Sequence, residues 1–134
     1  MPTRPTSTGP DAPVGSLATG TVARVSPNAT LTDVARKLMS VEVGALIVSS
    51  TADGVDGIIS EHDIVRLVGT GADPHTVRAA DVATADVMRC QRRDNVHTVA
   101  SLMMLHHVRH LLVEENDEVV GIISARDVLG AYVR

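Results

Sequence analysis

The chain has 134 residues, 44% hydrophobic and 21% charged, the composition of one compact domain or two very small ones. Its net charge of −4 and its single aromatic, Tyr132, argue against a long-range basic field for a polyanion and against a base-stacking platform, so nucleic acid is not the expected partner. No run of about 18 apolar residues offers a membrane span, and no apolar stretch opens the chain as a signal peptide would.

Residues 1–14 hold four of the six prolines among Thr, Ser and Gly. Such a composition predicts a disordered tail outside the fold. A short strand around Val22–Val25 follows. Leu31, Val34, Ala35, Leu38 and Met39 then recur at the i, i+3, i+4, i+7, i+8 spacing of an amphipathic helix. Thr30 is its expected N-cap, with Asp33 three residues on. Strands are predicted at Ala45–Val48 and Val55–Ile59 across the loop 49–54, and a second helix from Glu61. Gly71 and Asp73-Pro74 mark turns in the stretch 69–80, read as a linker.

The same order then returns. Leu17-Ala18-Thr19 falls on Val82-Ala83-Thr84 at an offset of 65 residues, carrying Val22 onto Val87 and Val34-Ala35 onto Val99-Ala100. At the same offset Met39 meets Met104 and Val43 meets Val108. After a one-residue deletion in a loop, Gly57-Ile58-Ile59-Ser60 meets Gly121-Ile122-Ile123-Ser124, and Asp63 meets Asp127. The second copy therefore has a strand at Val87–Cys90 and a helix capped by Asn95 with the stripe Val96, Val99, Ala100, Met103, Met104. Strands His110–Val113 and Val119–Ile123 follow, then a helix from Ala125. Periodicity assigns Met39, Met103 and Met104 to the core instead of to an adaptable methionine-rich groove.

The expected architecture is α+β, a β-α-β-β-α unit present twice, as residues 15–68 and 81–133. Each unit has one apolar face too many, so the sheets are expected to pack together about a pseudo-two-fold axis with two equivalent clefts. The unbroken Ile-Ile pairs suit strands covered on both faces. Cys90 aligns with Val25 and reads as a small buried hydrophobe, not a reactive thiol. As a lone cysteine it suits a reducing cytoplasm. Arg89, Arg92 and Arg93 read as a solvated strand end.

Each strand-to-helix junction reads Gly-Ile-Ile-Ser-x-x-Asp. Ser-x-x-Asp is the spacing of a capping box, Ser bonding an early amide and the acid favoured by the helix dipole. The same Asp could instead accept from the two vicinal hydroxyls of a ribose, with helix-start amides facing a phosphate. The two roles are compatible. His97, His106, His107 and His110 cluster in sequence, but no Asp, Glu or second Cys completes a tetrahedral set, so no metal is expected. Nucleophile elbow, P-loop, paired-carboxylate and Gly-x-Gly-x-x-Gly signatures are all missing, and the repeat and tail use up the chain, so no enzyme activity is expected.

Val-Gly-Ala-Leu-Ile-Val (43–48), Gly-Ile-Ile-Ser-Glu-His-Asp-Ile-Val (57–65), Val-Arg-His-Leu-Leu-Val (108–113) and Gly-Ile-Ile-Ser-Ala-Arg-Asp-Val-Leu (121–129) resemble the signature segments of cystathionine-β-synthase-type (CBS) domains, from about residue 14 to 133. The tandem pair, or Bateman module, is what gives the resemblance its specificity. It implies a regulatory module that binds AMP, ADP, ATP, S-adenosylmethionine or an NAD-type ligand between the repeats, with no other cofactor. It also implies a disc-like homodimer and a separate effector protein. By the same resemblance Asp127 would hold a ribose, Ser124 and Arg126 would lie near phosphates, and Ile122 against adenine. Arg109 and His110 would supply positive charge, and Gly44 and Ala45 would line the opposite wall. In the second cleft Asp63, Ser60, His62 and Ile58 would take the corresponding roles, faced by Arg109 and His110 or their neighbours. By the same resemblance Thr19 and Thr84 would each place a hydroxyl beside a ligand. Gly44-Ala45 stands where the other copy has Arg109-His110, so the clefts are chemically unequal. A phosphate is expected at the site reached by Arg109, whose fork can engage it twice. The competing reading is a structural or protein-interaction module without a ligand, in which Ser-x-x-Asp is only a cap.

Overall fold

A computed structural model describes residues 9–18 and 22–133. The chain forms two compact units, Val22–Val87 and residues 9–18 with 88–133. The first contains β1 (Arg24–Val25), α1 (Leu31–Val41), β2 (Ala45–Val48), β3 (Gly57–Ser60), α2 (Glu61–Gly69) and α3 (Ala79–Val82). The second contains a 3-10 turn at Val14–Ser16, then β4 (Arg89–Gln91), α4 (Val96–His106), β5 (His110–Glu115), β6 (Glu118–Ser124) and α5 (Ala125–Tyr132). Each has a three-stranded sheet, β1-β2-β3 or β4-β5-β6, whose first pair is parallel and second antiparallel. The first strands are shorter than hydrophobicity predicts, an ordinary shift of element ends.

Local chemistry explains how the helices start and stop. Thr30 Oγ1 accepts from the Asp33 amide (3.1 Å), and the Thr30 amide donates to Asp33 Oδ2 (3.1 Å), a complete capping box. These bonds, the backbone one first, hold the Asp33 carboxyl below its ordinary range. Asn95 Oδ1 caps α4 by accepting from the Thr98 amide (2.8 Å). Both helices end on a left-handed residue, Glu42 (φ 56°) and His107 (φ 54°), at corresponding positions of the repeat. Their amides donate to Leu38 and Met103 carbonyls, satisfying acceptors that a helix end leaves open.

Leu31, Val34 and Leu38 meet Leu46, Val48, Ile59 and Ala79 in the core of the first unit. In the second, Val96, Val99 and Met103 meet Leu111, Val113, Ile123, Val128 and Cys90. Both isoleucines of each pair are buried. Burial raises the Cys90 thiol to about 11, helped by the Asp94 and Glu114 carboxylates, as its reading as an inert core residue requires.

Three expectations are corrected. Met39 and Met104 are 78% and 79% exposed, not core. Each follows the last buried position of its stripe by about 100° around the helix, past the arc that the sheet covers, and only Met103 is buried. The proline-rich composition placed everything before residue 15 outside the fold, yet Ala12 and Val14 are 1% and 0% exposed. Their surroundings are in the second unit's core. Within the stretch read as a linker, Ala79 is fully buried in the first unit's core and starts α3. Residues 1–8 lie outside those described.

Candidate functional site

The two Ser-x-x-Asp junctions are capping boxes. Ser60 Oγ accepts from the Asp63 amide (3.2 Å), while the Ser60 amide and hydroxyl donate to Asp63 Oδ2 (2.8 and 3.0 Å). Ser124 Oγ accepts from the Asp127 amide (3.0 Å), and the Ser124 amide donates to Asp127 Oδ2 (2.9 Å). The cap thus engages Oδ2 of each carboxylate. A carboxylate has two oxygens and about four acceptor sites, so capping leaves the chemistry for a second role intact.

In the first unit, strand pairing gathers most of the expected residues at the start of α2. Ala45 is the register partner of Ser60, and the Glu61 amide donates to the Gly44 carbonyl (2.9 Å). Ile58 and Thr84 exchange both backbone bonds at 2.9 Å, so Thr84 extends the sheet at the β3 edge. His62 stands exposed in the first turn of α2. Gly44 and Ala45 therefore lie beside Ser60 and Asp63, in the same unit.

The second unit repeats this arrangement with different side chains. His110 is the register partner of Ser124, and the Ala125 amide donates to the Arg109 carbonyl (2.8 Å). Arg109, His110, Ile122, Ser124, Arg126 and Asp127 thus belong to one strand-to-helix corner. Ile122 is buried, Ser124 and Asp127 are half-buried, and Arg126 is exposed. Thr19, which corresponds to Thr84, lies outside the described residues.

Two contributors escaped the sequence reading. Gly57 lies so close to the Thr84 segment that a Cβ there would stand 2.8 Å from the Thr84 carbonyl oxygen and 3.2 Å from the Ala83 Cβ. Glycine is required by this close backbone approach. Arg66 lies 3.8 Å from Asp63 Oδ1, a partly exposed pair of modest energy. The second copy has Gly130 at that position, so Asp127 cannot form the equivalent i,i+3 pair. The Arg66/Gly130 difference was visible in the aligned repeats; Gly57's neighbour was not.

Among the described residues, no group of three or more His, Cys, Asp or Glu could hold a metal ion, and no helix is long and apolar enough to cross a membrane. The family model for the CBS domain matches twice, over residues 6–70 and 79–134. The chain belongs to the CBS-domain family.

This CBS pair is similar to a CBS-domain-containing protein of Agrobacterium tumefaciens, with 31% identity, a TM-score of 0.80, and 92% of this chain matched to 95% of that one. A CBS-domain protein of Pyrobaculum aerophilum, solved in complex with AMP, is 28% identical with a TM-score of 0.73 over 86% of this chain and 88% of that one. An uncharacterized protein of Methanopyrus kandleri is 30% identical over 118 residues, 87% of this chain but 60% of that relative. An arabinose 5-phosphate isomerase of Yersinia pestis is 28% identical over 116 residues, which are 86% of this chain and 35% of the isomerase. The chain thus spans between about a third and 60% of these two curated relatives.

Proposed function

We propose that this CBS pair is a non-catalytic regulatory module that binds an adenosine-containing ligand. The ligand would be AMP, ADP, ATP, S-adenosylmethionine or an NAD-type molecule, and the dominant site would be the corner around Asp127. Support comes chiefly from the gathering of Arg109, His110, Ser124 and Asp127 at one helix start. A carboxylate for ribose hydroxyls, a helix N-terminus and a guanidinium for phosphate are the groups such a ligand needs. The AMP complex of the Pyrobaculum relative agrees with this choice of ligand class. The corner around Asp63 would be the weaker site. It offers Gly44-Ala45 in place of Arg109-His110, and Arg66 already engages its carboxylate.

In this role Ile122 would pack on the base and Arg126 would assist at the phosphates, while Gly44 and Ala45 would line the corner around Asp63. Ile58, Ser60, His62, Asp63 and Thr84 would serve the weaker site, with Thr19 contributing at the dominant one. Ligand would favour one conformation of the module, which a separate effector protein reads in the cytoplasm.

Thermal unfolding with each of the five ligand types at millimolar concentration tests the proposal, because a ligand that binds only the folded state must raise the melting temperature. At least one is expected to do so. Asp127→Ala and Arg109→Ala should lose the shift, whereas Asp63→Ala should keep it. No shift with any ligand would reject sensing.

The alternative, a protein-interaction module, has its own support. Val65 and Val68 on α2 are 71% and 47% exposed, and Leu129 and Tyr132 at the corresponding positions of α5 are 64% and 45% exposed. An apolar pair repeated on both units suits a homodimer contact. Sedimentation of the wild type against Val65→Lys and Leu129→Lys tests that: a dimer should become a monomer.

A further inference from the structure

The segments ahead of the two repeats dock in the same way, each on the other repeat's unit. The Leu31 and Thr32 amides at the start of α1 donate to the Val77 and Pro74 carbonyls (3.1 and 3.0 Å). At the start of α4, the Val96 and His97 amides donate to the Ala12 and Pro10 carbonyls (both 2.9 Å). Thr30 bridges Arg78 as Asn95 bridges Pro13, and Ala79 and Val14 are buried at matching places. The repeat therefore extends back through stretches whose composition reads as tail and linker.

The two straps differ in how they are held. The strap at residues 74–82 belongs to the chain of the unit it completes. The strap at residues 9–18 is joined to its unit only through the whole of Val22–Val87. Beyond its two helix-start contacts, it is held by the Val14 amide to the Asp94 carbonyl (2.8 Å) and the Gly15 amide to the Arg92 carbonyl (3.1 Å). Ala12 and Val14 are its buried anchors, in a core shared with Val96, Val99 and Ala131, and Leu17 and Ala18 pack partly buried against the same core. Two buried and two partly buried side chains with four backbone bonds are a limited hold for a contact made across about 80 residues of chain.

We infer that residues 9–18 are a releasable strap: they open as a unit without global unfolding, uncovering the start of α4 and the core beneath Ala12 and Val14. Ala131 and Val128 of that core lie on α5, whose first turn carries Asp127. Release of the strap thus loosens the second repeat while the first, whose strap is internal, stays closed. The strap would be the element through which the second repeat is tuned independently of the first.

Native-state hydrogen exchange of the full chain tests this without any ligand. In the wild type, the Val96 and His97 amides should exchange at a common rate at least about tenfold faster than the Leu112 amide inside the sheet. Val14→Ala, which removes two buried carbons, should accelerate Val96 and His97 by about tenfold and leave Leu31 and Thr32 unchanged. Exchange of Val96 and His97 in step with Leu112 in the wild type would overturn the inference. So would a Val14→Ala effect spread equally over all four helix-start amides.

Discussion

Gly57→Ala should destabilise the first unit, and the structure gives the size of the effect. The added Cβ would stand 2.8 Å from the Thr84 carbonyl oxygen and 3.2 Å from the Ala83 Cβ. Neither neighbour is the free end of a flexible side chain, so β3 or the 83–84 segment must move by several tenths of an ångström. Overpacking of this kind costs about 1–3 kcal/mol. Weakening the two Ile58–Thr84 bonds, both 2.9 Å, adds about 1 kcal/mol each if they break. Against this, alanine restricts the unfolded chain more than glycine, a gain of about 0.5–1 kcal/mol. The net expectation is a loss of about 2 kcal/mol. Gly130→Ala is the internal control: that glycine lies in α5 with nothing within 4 Å of a built Cβ, and alanine there should stabilise by about 0.5–1 kcal/mol. Urea unfolding followed by circular dichroism should move the two midpoints in opposite directions, and exchange at the Ile58 and Thr84 amides should accelerate only in Gly57→Ala. A Gly57→Ala protein as stable as the wild type, with those amides still protected, would refute the reasoning.

Cys90 should not react with a disulfide reagent at pH 8 until the chain unfolds, because its thiol is buried and raised to about 11. With its folded value above the ordinary thiol value of 9.0, this group's contribution is fully present below pH 9 and is lost as pH rises from 9 through 11. Urea midpoints of the wild type and Cys90→Val across that range check the sign: the wild type alone should lose this increment. Glu42 and His107 hold left-handed φ values of 56° and 54°. Glu42→Gly and His107→Gly should each stabilise by up to about 1 kcal/mol, the relief of αL strain less the entropy that glycine loses. Thermal unfolding checks both.

Much of this molecule is legible in the sequence because it depends on neighbours along the chain. The capping boxes at Thr30, Ser60 and Ser124 and the Asn95 cap need only residues three apart, and the structure holds all four. The repeat registers Arg109-His110 against Gly44-Ala45 by simple alignment. Strand pairing then sets Arg109 and His110 beside Ser124 through the Ala125–Arg109 bond.

Other features depend on what arrives from elsewhere in the chain. Met39 and Met104 share the helical period of the core, but the width of the buried arc is set by the sheet beneath it. Ala12, Val14 and Ala79 carry too little apolar surface and too short a pattern to mark themselves as core. They become so because straps from distant sequence reach the starts of α4 and α1. The need for glycine at position 57 comes from Thr84, which docks at the β3 edge. Local capping and periodicity thus determine the elements and the repeat, while only the tertiary structure decides which carbonyls close the helix starts and which faces stay covered.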